Sequence, residues 1–382
     1  MTGFVLLRAR AHRLLLAAAL SAVVLTTCVL AALTAFSGSI GDAALRHTLT
    51  HRSAEPASLF VTAGVDRERR AEADAVVRRA AGEAFDGLPV TVRALESSGP
   101  YALPRDLQTP AARRGEPDLT HFASLDRSRV RLTSGRMPAE GAGRDGEPVE
   151  VALPRAAAEV LKLEPGAELA LTDRLGGASP RIEITGLYEA ADLADPYWQL
   201  DPLAGRGART LDFTTYGPLL TDPALFGSGR LSSGERSWLA TADFRTLTTD
   251  RTGDLREASA GVPRTLEAAL GDGVTVRTSL PTVIDQIERA LLVSRSTIMI
   301  VAVQLVLLAG YALLLVARLL SSERGGETEL LRARGGSRGR IASLAAVEAL
   351  LLAVPAAVVA PLLAGPLTGL LAERSGLTRI GL

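Results

Sequence analysis

Residues 280–316 read LPTVIDQIERALLVSRSTIMIVAVQLVLLAGYALLLV, and the two halves of this stretch carry different patterns. In the first half Leu280, Val283, Ile284, Ile287 and Leu291 recur at helical spacing on one face, while Asp285, Glu288 and Arg289 fall elsewhere. That is the mark of a helix with one packed side. In the second half, Ser296 to Val316, 21 residues pass without a charge. A helix needs about 20 such residues to cross the hydrocarbon core of a bilayer. The pattern predicts one helix that leaves a folded domain near Pro281 and runs unbroken into a membrane. A helix packed on a domain core and followed by a linker is the competing reading.

Working outward, two more stretches have the same quality. Leu14 to Phe36 is 23 residues without a charge, and Leu344 to Leu371 is 28 residues with Glu348 as the only charge. The first is longer than the apolar region of a secretory signal, about 7–15 residues, so it is read as an uncleaved anchor. Orientation follows from arginine, because short basic flanks stay in the cytoplasm. Arg8, Arg10 and Arg13 precede the first run, and the loop from Arg318 to Arg340 carries six arginines against Glu323, Glu327 and Glu329. The expected order is a cytoplasmic N-terminus (1–13), a first span (14–36), an extracytoplasmic domain (37–295) with a stalk helix at about 281–295, a second span (296–317), a basic cytoplasmic loop (318–343), a third span (344–371) and an extracytoplasmic tail (372–382). The fold class is therefore a membrane protein, an α-helical transmembrane bundle with a large α+β extracytoplasmic domain, in the plasma membrane.

Composition agrees. The chain is 47% hydrophobic but only 4% aromatic, with a mean hydropathy of +0.21 and no net charge, so nothing points to a nucleic-acid partner. Lys162 is the only lysine. A phosphate-binding Walker A loop needs a lysine after its glycines, and the surroundings of Lys162, EVLKLEPG, are no such loop. Cys28 is the only cysteine, which excludes an intramolecular disulfide and a thiolate metal cluster. Its apolar neighbours make it a buried, inert thiol.

The exported region alternates as strands do in SLFVTAG from Ser58, LPVTVRAL from Leu88, VEVALP from Val149, AELALTD from Ala167, RIEITGLYEA from Arg181 and GVTVRTSL from Gly273. In RIEITGLY, Ile182 and Ile184 share a buried face, and Glu183 and Thr185 the other. Asp66 to Phe85 reads as a helix capped by Asp66, with Ala73, Val76, Val77, Ala80 and Ala84 along one side. PRAAAEVLKL is a second helix with Pro154 at its start. Gly141–Gly146 and Gly205–Gly234 read as surface loops.

No catalytic constellation emerges. Gly335-Gly336-Ser337-Arg338-Gly339 fits G-x-S-x-G, but a nucleophile elbow joins a strand to a helix, and here a membrane span and a basic loop come first. His47 and His51 have the spacing of a zinc pair without the glutamate or third ligand of such a site. Glu189, Asp192 and Asp195 form no acid–base motif and read as a solvated loop. The chain is expected not to be an enzyme and to need no cofactor. Glu348 is a polar group inside a span, to be satisfied by Arg340 or a partner helix. Gly365 and Gly369 form a G-x-x-x-G face for close helix packing, with Pro355, Pro361 and Pro366 giving a kinked helix as the other reading.

The basic loop and the start of the third span, SSERGGETELLRARGGSRGRIASLAAVEALLLA, resemble the FtsX-like and MacB-like permease family of ABC transporters, in its actinobacterial form. The resemblance rests on Glu327 or Glu329, Leu330, Leu331, Arg332, Ala333, Gly335, Ser337, Arg338, Ile341 and Glu348. SGRMPAEG, VEVALPRAAAEVLKLEPGAEL and ITGLYEAADLADPYW are similar to that family's exported core. The resemblance implies a permease subunit of an exporter or mechanotransmission complex, docked through Glu329, Arg332, Arg334, Ser337 and Arg338 on a separate cytoplasmic ATPase that hydrolyses ATP. It also implies a lipid bilayer around the spans; and because family units have a fourth span after the third, it implies either a truncated or split permease or a span supplied by a second permease copy or chain. The alternative is an envelope sensor or regulatory membrane protein whose exported domain binds a peptide or a cell-wall enzyme.

Overall fold

A computed structural model describes residues 21, 24–31, 38, 41–141, 146–232, 234–271 and 273–323. The chain divides into two compact units. One takes in residues 48–246 and 250–284, and the other residues 1–47, 247–249 and 285–382.

The first is an α+β unit with, among the described residues, thirteen strands, in chain order β1 (Leu59–Ala63), β2 (Val90–Glu96), β3 (Tyr101–Ala102), β4 (Leu119–Ala123), β5 (Val130–Gly135), β6 (Val149–Pro154), β7 (Glu168–Ala170), β8 (Thr172–Asp173), β9 (Arg181–Ala190), β10 (Ala208–Thr210), β11 (Thr214–Leu220), β12 (Arg236–Ala242) and β13 (Thr275–Thr278). Its helices are α1 (Arg70–Ala84), α2 (Arg155–Leu161) and α3 (Thr252–Leu270). A further helix, α4 (Leu280–Glu323), begins in this unit.

Four strands form an antiparallel sheet in the order β13-β1-β12-β2. With α1 after β1 and α3 after β12, this is a split β-α-β arrangement of the ferredoxin-like kind. The chain leaves that sheet at Glu96 and returns at Arg236, and those two residues stand opposite each other in register. Everything between them builds the second sheet, ordered β5-β9-β6-β11-β4-β3-β8, with β10 added on β11 and β7 on β9. Its β6–β9 and β4–β11 pairs are parallel.

Burial explains the elements. Strand β6 lies inside the sheet, and all its residues but Glu150 are buried. Pro154 then stands at the N-cap of α2, which Lys162 closes in a left-handed conformation at φ 55°. One core joins Val149, Val151, Leu153, Ile182 and Ile184 to Ala157 and Leu161 of α2. A second core holds the two sheets together, with Leu95 and Leu239 from the first sheet, Ala123, Ala152, Tyr188 and Leu220 from the second, and Tyr197, Trp198 and Leu200 between them.

Several expectations change. Thr185 is buried rather than solvent-facing, at 6% exposure, because β9 has neighbours along both edges. Residues 205–234 are not a surface loop. They contain β11, with Tyr216, Leu219 and Leu220 in the core. Gly217 and Pro218 interrupt its pairing with β4, where the register shifts between Tyr216 and Leu219, so the strand accommodates a proline that lacks a donor. Asp66 makes no side-chain cap, and a 3₁₀ turn at Arg67–Arg69 precedes α1. Ala81 takes the buried place expected for Val76.

Candidate functional site: an apolar helix and a cleft

Helix α4 is 44 residues long, about 66 Å at 1.5 Å per residue. Leu280, Val283 and Ile284 are buried at 1%, 6% and 0% exposure, on the α+β unit's side of the division. Ile287 and Leu291 are half-buried. Beyond them, apart from the polar turn at 294–297 and Gln304, the exposed residues are mainly apolar: Leu292, Val293, Met299, Ile300, Val303, Val306, Leu307, Leu308 and Tyr311 are each more than half exposed. The segment Leu280–Ala312, which contains an 18-residue window of mean hydropathy 2.1, is the one helix among the described residues that is long and apolar enough to cross a membrane. Water gives no reason to expose such a surface, whereas lipid or a partner helix does.

Within the helical unit, Gly41 lies close to α4. A Cβ placed there would stand 3.5 Å from Leu291 Cδ2 and 3.6 Å from Thr249 Cγ2. The Thr249 amide donates to Asp42 Oδ1 at 2.8 Å.

In the α+β unit a cleft of about 440 Å³ opens at one end of the first sheet. Its walls come from the π-helical turn Thr48–Arg52 (Leu49, Thr50), Arg93 of β2, the turn after β9 (Asp192, Ala194, Asp195, Pro196), the end of β12 (Thr241, Ala242) and Phe244. Asp195 organises one side. It accepts from Arg93 Nη1 at 3.3 Å and from the Tyr197 amide at 2.9 Å, and its other oxygen accepts from Arg129 Nη1. The Tyr197 hydroxyl accepts from the Asp126 amide at 2.8 Å, and burial pushes that phenol up to about 12.

A second ionic cluster sits where the chain crosses between sheets. Arg236 grips Asp74 of α1 with Nε at 3.0 Å and Nη2 at 2.9 Å, and reaches Glu96 at 3.4 Å. Trp238 Nε1 also donates to Asp74, at 2.7 Å, and Arg70 pairs with Glu96. Burial pushes Glu96 up against the pull of Arg70 and Arg236. Burial acts on Asp74 in the same way, but hydrogen bonds from Arg236 and Trp238 carry it below the usual carboxylate range. These groups bind one another, with Arg70 Nε a buried donor left without a hydrogen-bond partner, which makes the cluster a structural joint.

Glu329, Arg332, Arg334, Ser337, Arg338, Glu348, Gly365 and Gly369 lie outside the described residues. Cys28 is buried at 3% exposure, and His47 and His51 are exposed. The acidic turn is only partly the solvated loop expected. Asp192 is exposed, but Asp195 has a side chain only 14% exposed and held by two arginines, and Glu189 is paired with Arg131.

Residues 299–379 match the family model described as FtsX-like permease C-terminal. Over this segment the chain is similar to the C-terminal part of FtsX-like permeases. A search of curated proteins returns no match.

The FtsX-like segment begins inside α4 and takes in the basic loop and the apolar run from Leu344. The resemblance read from that loop is borne out over residues 299–379, and likeness to FtsX-like permeases there is in keeping with a membrane location. Sequence reading missed the cleft, because its wall is assembled from turns and strand ends scattered from Leu49 to Phe244. The only local signal was the acidic turn Asp192–Asp195.

Proposed function

We propose that this chain is the permease subunit of an ABC-type exporter or mechanotransmission complex of the MacB-like kind, driven by a separate cytoplasmic ATPase. The observation that carries the reading is the FtsX-like match over residues 299–379. The lipid-length apolar surface of α4 supports it. In this reading 14–36, 296–317 and 344–371 cross the plasma membrane, and the α+β unit works on the extracytoplasmic side. The loop 318–343 presents Glu329, Arg332, Arg334, Ser337 and Arg338 to the ATPase, which carries the nucleotide chemistry. A continuous helix transmits displacement along its axis because its hydrogen bonds run parallel to it. Movement of the loop would thus be felt at Leu280, Val283 and Ile284, the α4 residues buried in the α+β unit. Gly365 and Gly369 would pack a span against a second permease copy or chain, and Glu348 would meet a polar partner within the bilayer.

The test is a detergent pull-down of the tagged chain with an assay for ATP hydrolysis, beside a variant carrying Arg332→Ala, Arg334→Ala and Arg338→Ala. ATPase recovered with the native chain and lost with the variant is the expected result. No ATPase with either, from membranes where the α+β unit is folded, contradicts the reading and favours an envelope sensor.

A further inference from the structure

We propose that the cleft beside Arg93 binds a single carboxylate carried on a small apolar body. The inference rests on the α+β unit alone and stands or falls independently of the permease reading. The volume, about 440 Å³, falls in the range of small-molecule sites, roughly 300–1,000 Å³. Its apolar backing is fixed: Leu49, Ala57 and Phe244 lie behind it at only 0%, 1% and 5% exposure, and the half-buried Ala54, Pro196 and Ala242 present the accessible apolar surface. A backing packed this firmly needs no ordering on binding.

The polar side is equally specific. Arg93 uses one N–H of Nη1 on Asp195 Oδ1 at 3.3 Å, and among the described residues its Nε and Nη2 have no partner. Asp195 is also held by Arg129, at its other oxygen, and by the Tyr197 amide. Asp195 is thus shared by two guanidinium groups, with Asp126 also paired to Arg129 at 3.9 Å, so Arg93 is held in place by a partner that does not exhaust its donors. The Nε and Nη2 edge of a guanidinium is the fork that takes a carboxylate through two parallel hydrogen bonds. Thr241 also lines the cleft, and its hydroxyl has no partner among the described residues. Asp192 stands on the same wall and is exposed. Its charge opposes a dianion such as a phosphate monoester and leaves a monoanion as the fitting ligand.

A carboxylate of this kind is offered by the C-terminus of an apolar peptide or by a short fatty acid. The full chain in lipid nanodiscs would be titrated calorimetrically with N-acetyl-leucyl-phenylalanine, with its C-terminal amide and with sodium octanoate. The expected result is that a carboxylate probe binds about tenfold to a hundredfold more tightly than the amide, the range of a charge-assisted hydrogen-bond pair. Arg93→Gln should abolish that preference, and Ala194→Trp, at the exposed rim, should block binding while leaving Arg93 and Asp195 paired. Circular dichroism melts check that both variants fold, and if Arg93→Gln does not, Ala194→Trp decides. Binding of octanoate without the peptide assigns the carboxylate to a lipid source, and the reverse to a peptide. Equal affinity for acid and amide, no binding of either acid, or full binding by the folded variants would overturn the proposal.

Discussion

Asp201 and His121 titrate in opposite directions inside the α+β unit. The Asp201 carboxylate accepts from the Leu203 and Gly205 amides at 3.0 and 2.8 Å, yet burial outweighs those bonds and pushes it up to about 6. Burial drives the His121 imidazole down to about 4. Folded Asp201 binds its proton more tightly than the unfolded chain does. Its contribution is therefore fully present below the unfolded pKa and is lost as pH rises through about 6, a change of about 3 kcal/mol. His121 is depressed, so its contribution runs the other way and grows by a similar amount, about 3 kcal/mol, between pH 4 and 6.5. The two oppose each other in the native chain. Asp201→Asn should make stability rise with pH across that window, and His121→Asn should make it fall. Both can be followed by tryptophan fluorescence during urea unfolding, since the two tryptophans, Trp198 and Trp238, both belong to the α+β unit. A variant that keeps the native pH profile would contradict the assignment. Glycines give a sharper contrast. Gly135 and Gly186 face each other where β5 crosses β9, and a Cβ on Gly186 would stand 2.3 Å from the Arg136 carbonyl oxygen. Gly186→Ala should lower stability by about 2–4 kcal/mol. Gly261→Ala should raise it by about 0.5–1 kcal/mol, because that glycine lies inside α3 with open space around it. The same urea titration reads both signs.

At the scale of elements, α4 makes the clearest prediction. Leu307 is 68% exposed. If that surface met water, Leu307→Arg would change stability by less than about 0.5 kcal/mol. If it meets lipid, the arginine adds about 2.5–3.5 kcal/mol to insertion, and the variant should be lost from the membrane fraction on centrifugation of cell extracts. What the sequence disclosed about elements depended on how cleanly each one displayed its period. RIEITGLYEA alternates, and it is β9 to the residue. PRAAAEVLKL carries its proline at the N-cap and is α2. Helix α3 was hidden by Gly253, Gly261 and Pro263, although Leu255, Ser259, Val262 and Leu266 mark a buried helical face. Strand β11 was hidden by its Gly217-Pro218 step, which local reasoning takes as a break and the sheet absorbs as a register shift. Local signals name an element only where no breaker has been offset by tertiary pairing.

At the scale of the whole molecule, the α+β class was legible from strand and helix patterns, but the topology was not. Glu96 and Arg236 pair across β2 and β12 with an entire second sheet inserted between them, and no local period reports a partner so distant. The candidate site divides in the same way. The FtsX-like segment is contiguous and was legible from its loop, whereas the Arg93 cleft exists only after the two sheets pack. The permease reading depends on the α+β unit and the basic loop lying on opposite sides of a membrane. The direct measurement is labelling of single cysteines by a membrane-impermeant maleimide in intact cells, in a Cys28→Ser background. Glu116, with a side chain 69% exposed in the α+β unit, would be replaced in one variant and Ser337 in another. Labelling of Glu116→Cys in intact cells, with Ser337→Cys reached only after permeabilisation, is the predicted result. Labelling of both from the same side would contradict it.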